Sequence, residues 1–394
     1  MKILRIIVSA DLRHGGPMEG AMRVGAELAR RGHHYDLATL DPPGARCIAD
    51  APCRVIGLGE RAVTPDQRLP FLQRYGYAPR AVPWLREHLP DYDVAIVSGL
   101  WNYATMAARR ALVGSGVPYV VFPHGMLDPW FRETYPLKHA VKQLLWLGNE
   151  GVLLRHAEAV LFTSEEERLR ARGAFRPYRV RERVVGYGTG DVSGDPAAQV
   201  AAFRGLLPAL GDRRYLLFLS RIHEKKGIDL LLDAYAGIAA RRADLDLVIA
   251  GPDQVGLKAT LEARAAALGI APRIHWPGML RGDAKFGAMR AAEAFVLPSH
   301  QENFGIVVAE AMACGRPVLI TDKVNIWREI LADEAALVAP DTAAGIADLL
   351  DRYLALDPAA REAMGTRARA SFLRRFGIAH AADDLLAALH AAAS

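Results

Sequence analysis

Residues Ala294–Asp322 read AFVLPSHQENFGIVVAEAMACGRPVLITD. The two ends, AFVL and PVLIT, are short apolar runs, the second rich in β-branched side chains. The middle, Gly305 to Cys314, is apolar or small at every position but one. The pattern is strand, helix, strand. Two apolar strands joined by an apolar helix make a parallel crossover, and parallel sheets are covered on both faces. The exception inside the helix is Glu310. A helix apolar all round is buried, and a buried carboxylate is costly unless something hydrogen-bonds to it. Glu310 therefore has either a protein partner, such as a buried Arg or Lys, or a ligand.

Outward from this stretch the same alternation repeats. RIIVSA, HYDLATL, DVAIVSG, VPYVVF, AEAVLFTS and RVVGYG read as strands in the first half, with GAMRVGAELARRG as a helix between the first two. Gly186–Pro196, GYGTGDVSGDP, has the composition of a linker. The pattern then restarts with YLLFLS, LDLVIAG, RIHWPG, AFVLPS and RPVLITD as strands, and the Ala-rich end HAADDLLAALHAAAS reads as a helix. The expectation is an α/β protein of two doubly wound Rossmann-like domains facing across a cleft. The boundaries expected are 1–190, 191–375, and a C-terminal helix over 376–394 that packs back on the first domain.

A chain of 394 residues is long for one core, which agrees with two domains. No apolar run approaches the ~18–20 residues that span a membrane. The start, MKILRIIVSADLRHGG, is no secretory signal, because Arg5 interrupts its apolar stretch. The three scattered cysteines, Cys47, Cys53 and Cys314, have no zinc spacing and read as reduced thiols of a cytoplasmic protein. The charge is uneven: residues 1–190 carry about 26 Lys and Arg against about 19 Asp and Glu, while the remainder is near neutral. A basic first half suits an anionic partner.

Ligands of doubly wound sheets bind at the C-terminal ends of the strands, so the loops there are informative. ADLRHGGPMEG lacks GxGxxG spacing and a ribose-holding acid, which argues against a nicotinamide enzyme; Gly15 and Gly16 still offer amides to an anion at a helix start. In FPHGMLDPW, His124 stands at a strand end, with Asp128 and Trp130 as candidate acceptor contacts. In SRIHEKKG, Arg221 and Lys226 bracket a loop before a helix, a cationic setting for a diphosphate. In ENFG, Glu302, Asn303, Phe304 and Gly305 form the turn before the Glu310 helix, and Gly305 keeps that helix start open. The two oxygens of Glu310 suit a vicinal diol such as the 2′ and 3′ hydroxyls of a ribose.

Together these residues resemble the retaining glycosyltransferases of family 4, of GT-B fold. The resemblance covers both halves. It is carried by Glu-x7-Glu (Glu302 to Glu310), Arg-x4-Lys-Gly (Arg221 to Gly227), the N-terminal Gly-Gly loop and His124-Gly125. It implies a metal-independent hexosyltransferase with no cofactor, whose donor substrate is a nucleoside-diphosphate sugar. Arg221 and Lys226 would hold the diphosphate, with Gly15 and Gly16 near it. Glu302, Asn303, Phe304 and Gly305 would meet the transferred sugar, Glu310 the ribose, and His124 the sugar near its reacting carbon. FPHGMLDPW resembles members that build bacterial exopolysaccharide or O-antigen, which implies a glycan or lipid-linked acceptor. One departure stands out: the family's Pro-Asn-Gly-Val-Asp type segment reads VVGYGTGD, without the Asn.

Other readings differ in class. A GT-B phosphorylase or nucleotide-sugar epimerase shares the loops, and an NAD-dependent oxidoreductase shares only the sheets. A nucleic-acid partner is disfavoured because the basic residues are not interleaved with aromatic platforms. FRETYPLKHAVKQLLWL, Phe131–Leu147, places Leu137, Val141, Leu144 and Leu145 on one helical stripe beside Lys138 and Lys142. The stripe faces either a core or an anionic lipid surface at the inner face of the cell membrane, with Trp146 at the lipid interface.

Overall fold

Among the described residues, thirteen strands fall into two sheets, and every pairing is parallel. The computed structural model describes residues 1–12, 16–61, 63 and 75–394. The chain divides into two compact units, residues 1–188 with 378–394, and residues 189–377. It passes from one to the other twice.

The first sheet holds β1 (Lys2–Ile6), β2 (His34–Thr39), β3 (Arg54–Gly57), β4 (Val94–Ser98), β5 (Tyr119–Phe122), β6 (Ala159–Phe162) and β7 (Glu182–Val184), in the order β3-β2-β1-β4-β5-β6-β7. Its inner strands are buried end to end, as sheets covered on both faces demand. Side chains alternate between two cores: Leu4, Ile6, Ala95 and Val97 lie on one face, Ile3, Ile7, Val94 and Ile96 on the other. The Gly16–Arg30 helix covers the second face with Met18, Met22 and Leu28. Beside it lies the Ile378–Ala393 helix, which contributes Ala382, Leu385, Ala388 and Leu389. Arg31 donates to the Ala379 carbonyl, and the Gly186 amide to Asp384 at 2.8 Å, so this last helix belongs to the first unit.

The second sheet holds β8 (Arg214–Leu219), β9 (Leu245–Ala250), β10 (Ile274–Gly278), β11 (Ala294–Leu297), β12 (Val318–Thr321) and β13 (Ala336–Ala339), in the order β10-β9-β8-β11-β12-β13. Strand order reverses at β1/β4 in one sheet and at β8/β11 in the other. Such switch points open a crevice beyond the strand ends, where doubly wound folds take ligands. The candidate loops follow β1, β5, β8 and β11, around those points.

Candidate active site

In the second unit, the loop leaving β8 turns through a short 3-10 segment, Glu224–Lys226, capped by His223, whose Nδ1 accepts from the Lys225 amide at 3.1 Å. Gly227 follows with φ +61°. A Cβ there would lie 2.1 Å from the Pro298 carbonyl oxygen, so only glycine lets this loop press against the exit of β11. That contact carries Lys226 to Glu302. Lys226 is buried and its ammonium pairs with the Glu302 carboxylate. Arg221 is exposed; its Nη1 lies 3.5 Å from Gln254, leaving most of its fork to solvent.

Glu302 is held by its backbone. Its amide donates to Lys323 at 3.0 Å, and its carbonyl accepts from Asn325 at 3.0 Å, tying the turn to the loop after β12. The Asn325 amide group also donates to Asn303 Oδ1. Burial pushes the Glu302 carboxyl up, but Lys226 and then Arg221 outweigh it and hold it below the usual range. The side chain is therefore an anion at neutral pH. Phe304 is buried edge-on against Phe376, ring centres 5.7 Å apart. Gly305, at φ +71°, starts the Ile306–Ala313 helix, where a Cβ would crowd Glu302 and Val308 at 3.2 Å.

Glu310 is 1% exposed. The ribose expected as its missing partner is not needed to explain its burial. Lys285, on the Gly282–Ala291 helix, places Nζ 2.6 Å from the carboxylate. The helix is apolar all round because it is enclosed, and its one charge is met from the neighbouring helix. Nothing in GDAKFGAMRA marks Lys285 for this task, since it lies 25 residues away.

In the first unit, Gly16 is the first residue of the Gly16–Arg30 helix, and a Cβ there would meet nothing within 4 Å. Gly15 lies outside the described residues. His124, two residues beyond β5, has φ +50°, uncommon for any residue but glycine. Its ring stacks on Phe122 at 5.3 Å and meets Tyr187 edge-on at 5.9 Å. Among the described residues its buried Nε2 has no hydrogen-bond partner. Burial, and then Arg5, push the imidazole down to about 3, so it is neutral at physiological pH.

Two residues here escaped sequence reasoning. Tyr187, in the segment where the family's Asn is missing, donates to the Gly16 carbonyl at 3.0 Å and occupies the space that Gly20 leaves free. It thereby links the helix start to His124. Arg5 is wholly buried on β1, donates Nε to Ser98 Oγ at 2.8 Å and lies over the Phe122 ring. A charge inside the apolar run KILRIIV was its visible signal.

The remaining expectations fare differently. Both Asp128 oxygens are taken by Arg170, at 2.9 and 3.1 Å, and one also caps the Trp130 amide. Asp128 is buried, so it anchors this loop rather than facing an acceptor. Trp130 packs edge-on against Phe131 and Tyr135. The Pro136–Leu145 helix buries none of its residues: Leu137 is 84% exposed, Val141 60% and Leu144 71%. Among the described residues, its stripe therefore faces no core. Trp146, expected at a lipid interface, is instead buried, donates Nε1 to the Pro177 carbonyl at 2.9 Å and stacks on Phe175. An indole with both its N–H and its face satisfied inside the protein has no reason to leave it. Among the described residues no helix is long and apolar enough to cross a membrane, and no group of three metal-ligating side chains is gathered.

Two family descriptions match: "Glycosyl transferases group 1" over residues 203–371, and "Glycosyl transferase 4-like domain" over 15–188. A D-inositol 3-phosphate glycosyltransferase of Actinosynnema mirum is 31% identical over 392 residues, 95% of this chain and 91% of that one. The α-D-kanosaminyltransferase of Streptomyces kanamyceticus is 29% identical over 91% of this chain and 95% of its own. A D-inositol 3-phosphate glycosyltransferase of Arthrobacter is 35% identical, but over only 45% of this chain and 42% of its own length. Among solved structures, the Anabaena protein HepE in complex with UDP and glucose superimposes with a TM-score of 0.75 at 18% identity, over 99% of both chains. Sucrose-phosphate synthase of Thermosynechococcus elongatus gives 0.77 at 22%, over 99% and 98%. At such identities these two likenesses speak to the fold, which is the GT-B type.

Proposed function

Since the chain belongs to the family-4 glycosyltransferases, we propose that it is a retaining, metal-independent hexosyltransferase using a nucleoside-diphosphate sugar. The observation that carries this reading is the meeting of two loops at the β8/β11 switch point: Arg221 and Lys226 from one, Glu302 to Gly305 from the other. In the reaction, positive charge grows at the reacting sugar carbon and negative charge on the departing diphosphate. Arg221 is open to solvent and suits the diphosphate. Lys226, held by Glu302, is fixed before the donor arrives, and preorganised charge of this kind is often the largest catalytic contribution. In this reading the ionised Glu302 favours positive charge on the sugar. In this reading the acceptor hydroxyl attacks from the face the diphosphate leaves, and the diphosphate takes its proton. On the same reading Glu310 holds the ribose alongside Lys285, two carboxylate oxygens suiting a vicinal diol. Gly16 and the neutral His124 serve the phosphates and the sugar. The test is a melting screen with UDP, GDP, ADP and dTDP, followed by product analysis with the matching sugars. A nucleotide at 100 times its dissociation constant adds about 2.7 kcal/mol of stability. No rise with any of the four would overturn the reading.

The acceptor we infer is a lipid-linked glycan reached from the inner face of the cell membrane, in bacterial surface polysaccharide synthesis. The exposed stripe of Leu137, Val141 and Leu144 supports it, with Lys138 on the same helix in a basic half of the chain. A second reading, a small soluble acceptor, is favoured by the name of the 31% identical relative, an inositol phosphate enzyme. Sedimentation with anionic vesicles separates the two. Binding at low salt that is lost in Leu137→Asp/Leu144→Asp supports the lipid reading. No binding under those conditions, where attraction is strongest, removes it.

A further inference from the structure

The second unit has another concave site, at the opposite ends of its strands from the Arg221 and Glu302 loops. A cleft of about 1050 Å³ opens where β8, β11 and β12 begin, walled by the Arg214, Glu293 and Arg316 region and by Arg242, Leu354 and Arg361. Five arginines line it against two carboxylates, Glu293 and Glu362.

The distribution of partners matters more than the count. Arg214 takes Glu293 with both prongs of its fork, at 2.7 and 2.9 Å, and Arg369 takes Asp191 in the same way. The other three are not neutralised so. Arg242 and Arg361 each donate Nη2 to one carbonyl oxygen, that of Leu354, at 3.1 and 2.9 Å. Two cations thus stand side by side on one neutral acceptor, and like charges so placed repel. The carboxylate nearest Arg361 is the already engaged Glu293, 3.9 Å away. Among the described residues, the buried Nε of Arg361 has no hydrogen-bond partner. Among the described residues, Arg316 donates only to backbone carbonyls, those of Cys314 and Ala292. A buried N–H without a partner and guanidinium groups that share one already engaged carboxylate are both short of acceptors, which an anion with several oxygens supplies.

We propose that this cleft is an anion site for a small phosphorylated molecule, whose phosphate oxygens bridge Arg242, Arg361 and Arg316. It is independent of the donor site. Arg221 and Lys226 sit beyond the opposite ends of the strands, and the cleft shares no residue with them. No bond is made or broken; the site binds.

The probe is inorganic pyrophosphate, titrated calorimetrically at about 150 mM salt into an Arg221→Ala/Lys226→Ala protein, which lacks both cations of the candidate diphosphate loop. The expected result is one pyrophosphate per chain with submillimolar affinity, weakened tenfold or more by adding Arg242→Gln and Arg316→Gln. Arg361 is left intact because it is partly buried and its loss would disturb the fold. Melting of each variant is followed in parallel, and Arg242→Gln alone, at an exposed position, serves if the combined variant unfolds. The proposal is overturned if the Arg221→Ala/Lys226→Ala protein binds no pyrophosphate, or if the cleft substitutions leave the affinity unchanged. Neither result touches the glycosyltransferase reading, which stands on nucleotide binding by the unaltered protein.

Discussion

Replacing Glu310 by Gln separates what Lys285 does for that carboxylate from what a ribose would do. The carboxylate is 1% exposed and its partner ammonium lies 2.6 Å away on a side chain 18% exposed. Stranding a fully buried cation costs about 3–5 kcal/mol. Lys285 reaches solvent in part, and Gln keeps one acceptor oxygen, so the expected cost is nearer about 2 kcal/mol. For a domain of this size that is a fall in melting temperature of roughly 4–8 °C. A hydrogen bond to a charged group contributes about 1.5–3 kcal/mol, so loss of the ribose contact should weaken nucleotide binding roughly ten- to hundredfold. Both quantities are read on one sample, by thermal melting and by nucleotide titration corrected to folded protein. Adding Lys285→Met removes the stranded ammonium, so the double variant should regain stability and still bind poorly. A lower melting temperature with unchanged affinity would leave Glu310 as the structural partner of Lys285 alone and refute the ribose assignment. Unchanged melting would refute the account of the ion pair.

Arg221→Ala and Lys226→Ala should lower kcat more than nucleotide affinity, because the charge they meet grows as the diphosphate leaves; steady-state kinetics beside nucleotide titration checks this, and equal losses in both would contradict it. Gly227→Ala places a Cβ 2.1 Å from the Pro298 carbonyl at φ +61°, so it should cost more than about 2 kcal/mol and shift the Lys226 loop, read by urea denaturation and by loss of nucleotide binding. His124 titrates at about 3 in the folded protein against 6.5 in the unfolded chain, so between those values the unfolded state binds the extra proton. Stability should therefore fall as pH drops through that window, His124→Asn should flatten the fall in urea midpoints, and the kcat profile should show no His124 limb between about pH 5 and 8.

The parallel sheets were legible because strands covered on both faces need continuous apolar runs, and β4, β5, β11 and β12 are buried at every position. The strands not anticipated are β3 and β13, each four residues long and each at the outer edge of its sheet. An edge strand is shielded on fewer sides, and RVIG shows it with no fully buried residue. The loops that end the central strands were legible for another reason: glycines at φ +61° and +71° and charges beside them are written locally, within a few residues. What the sequence did not disclose is pairing across distance. Lys285 to Glu310 spans 25 positions, Arg170 to Asp128 spans 42, and Lys226 to Glu302 spans 76. A burial argument establishes that such a carboxylate has a partner, but its identity depends on which helices and loops the sheet order sets side by side. The same limit explains the Pro136–Leu145 helix. Its period predicted an apolar face, and only the tertiary structure says that, among the described residues, no core covers Leu137 and Leu144.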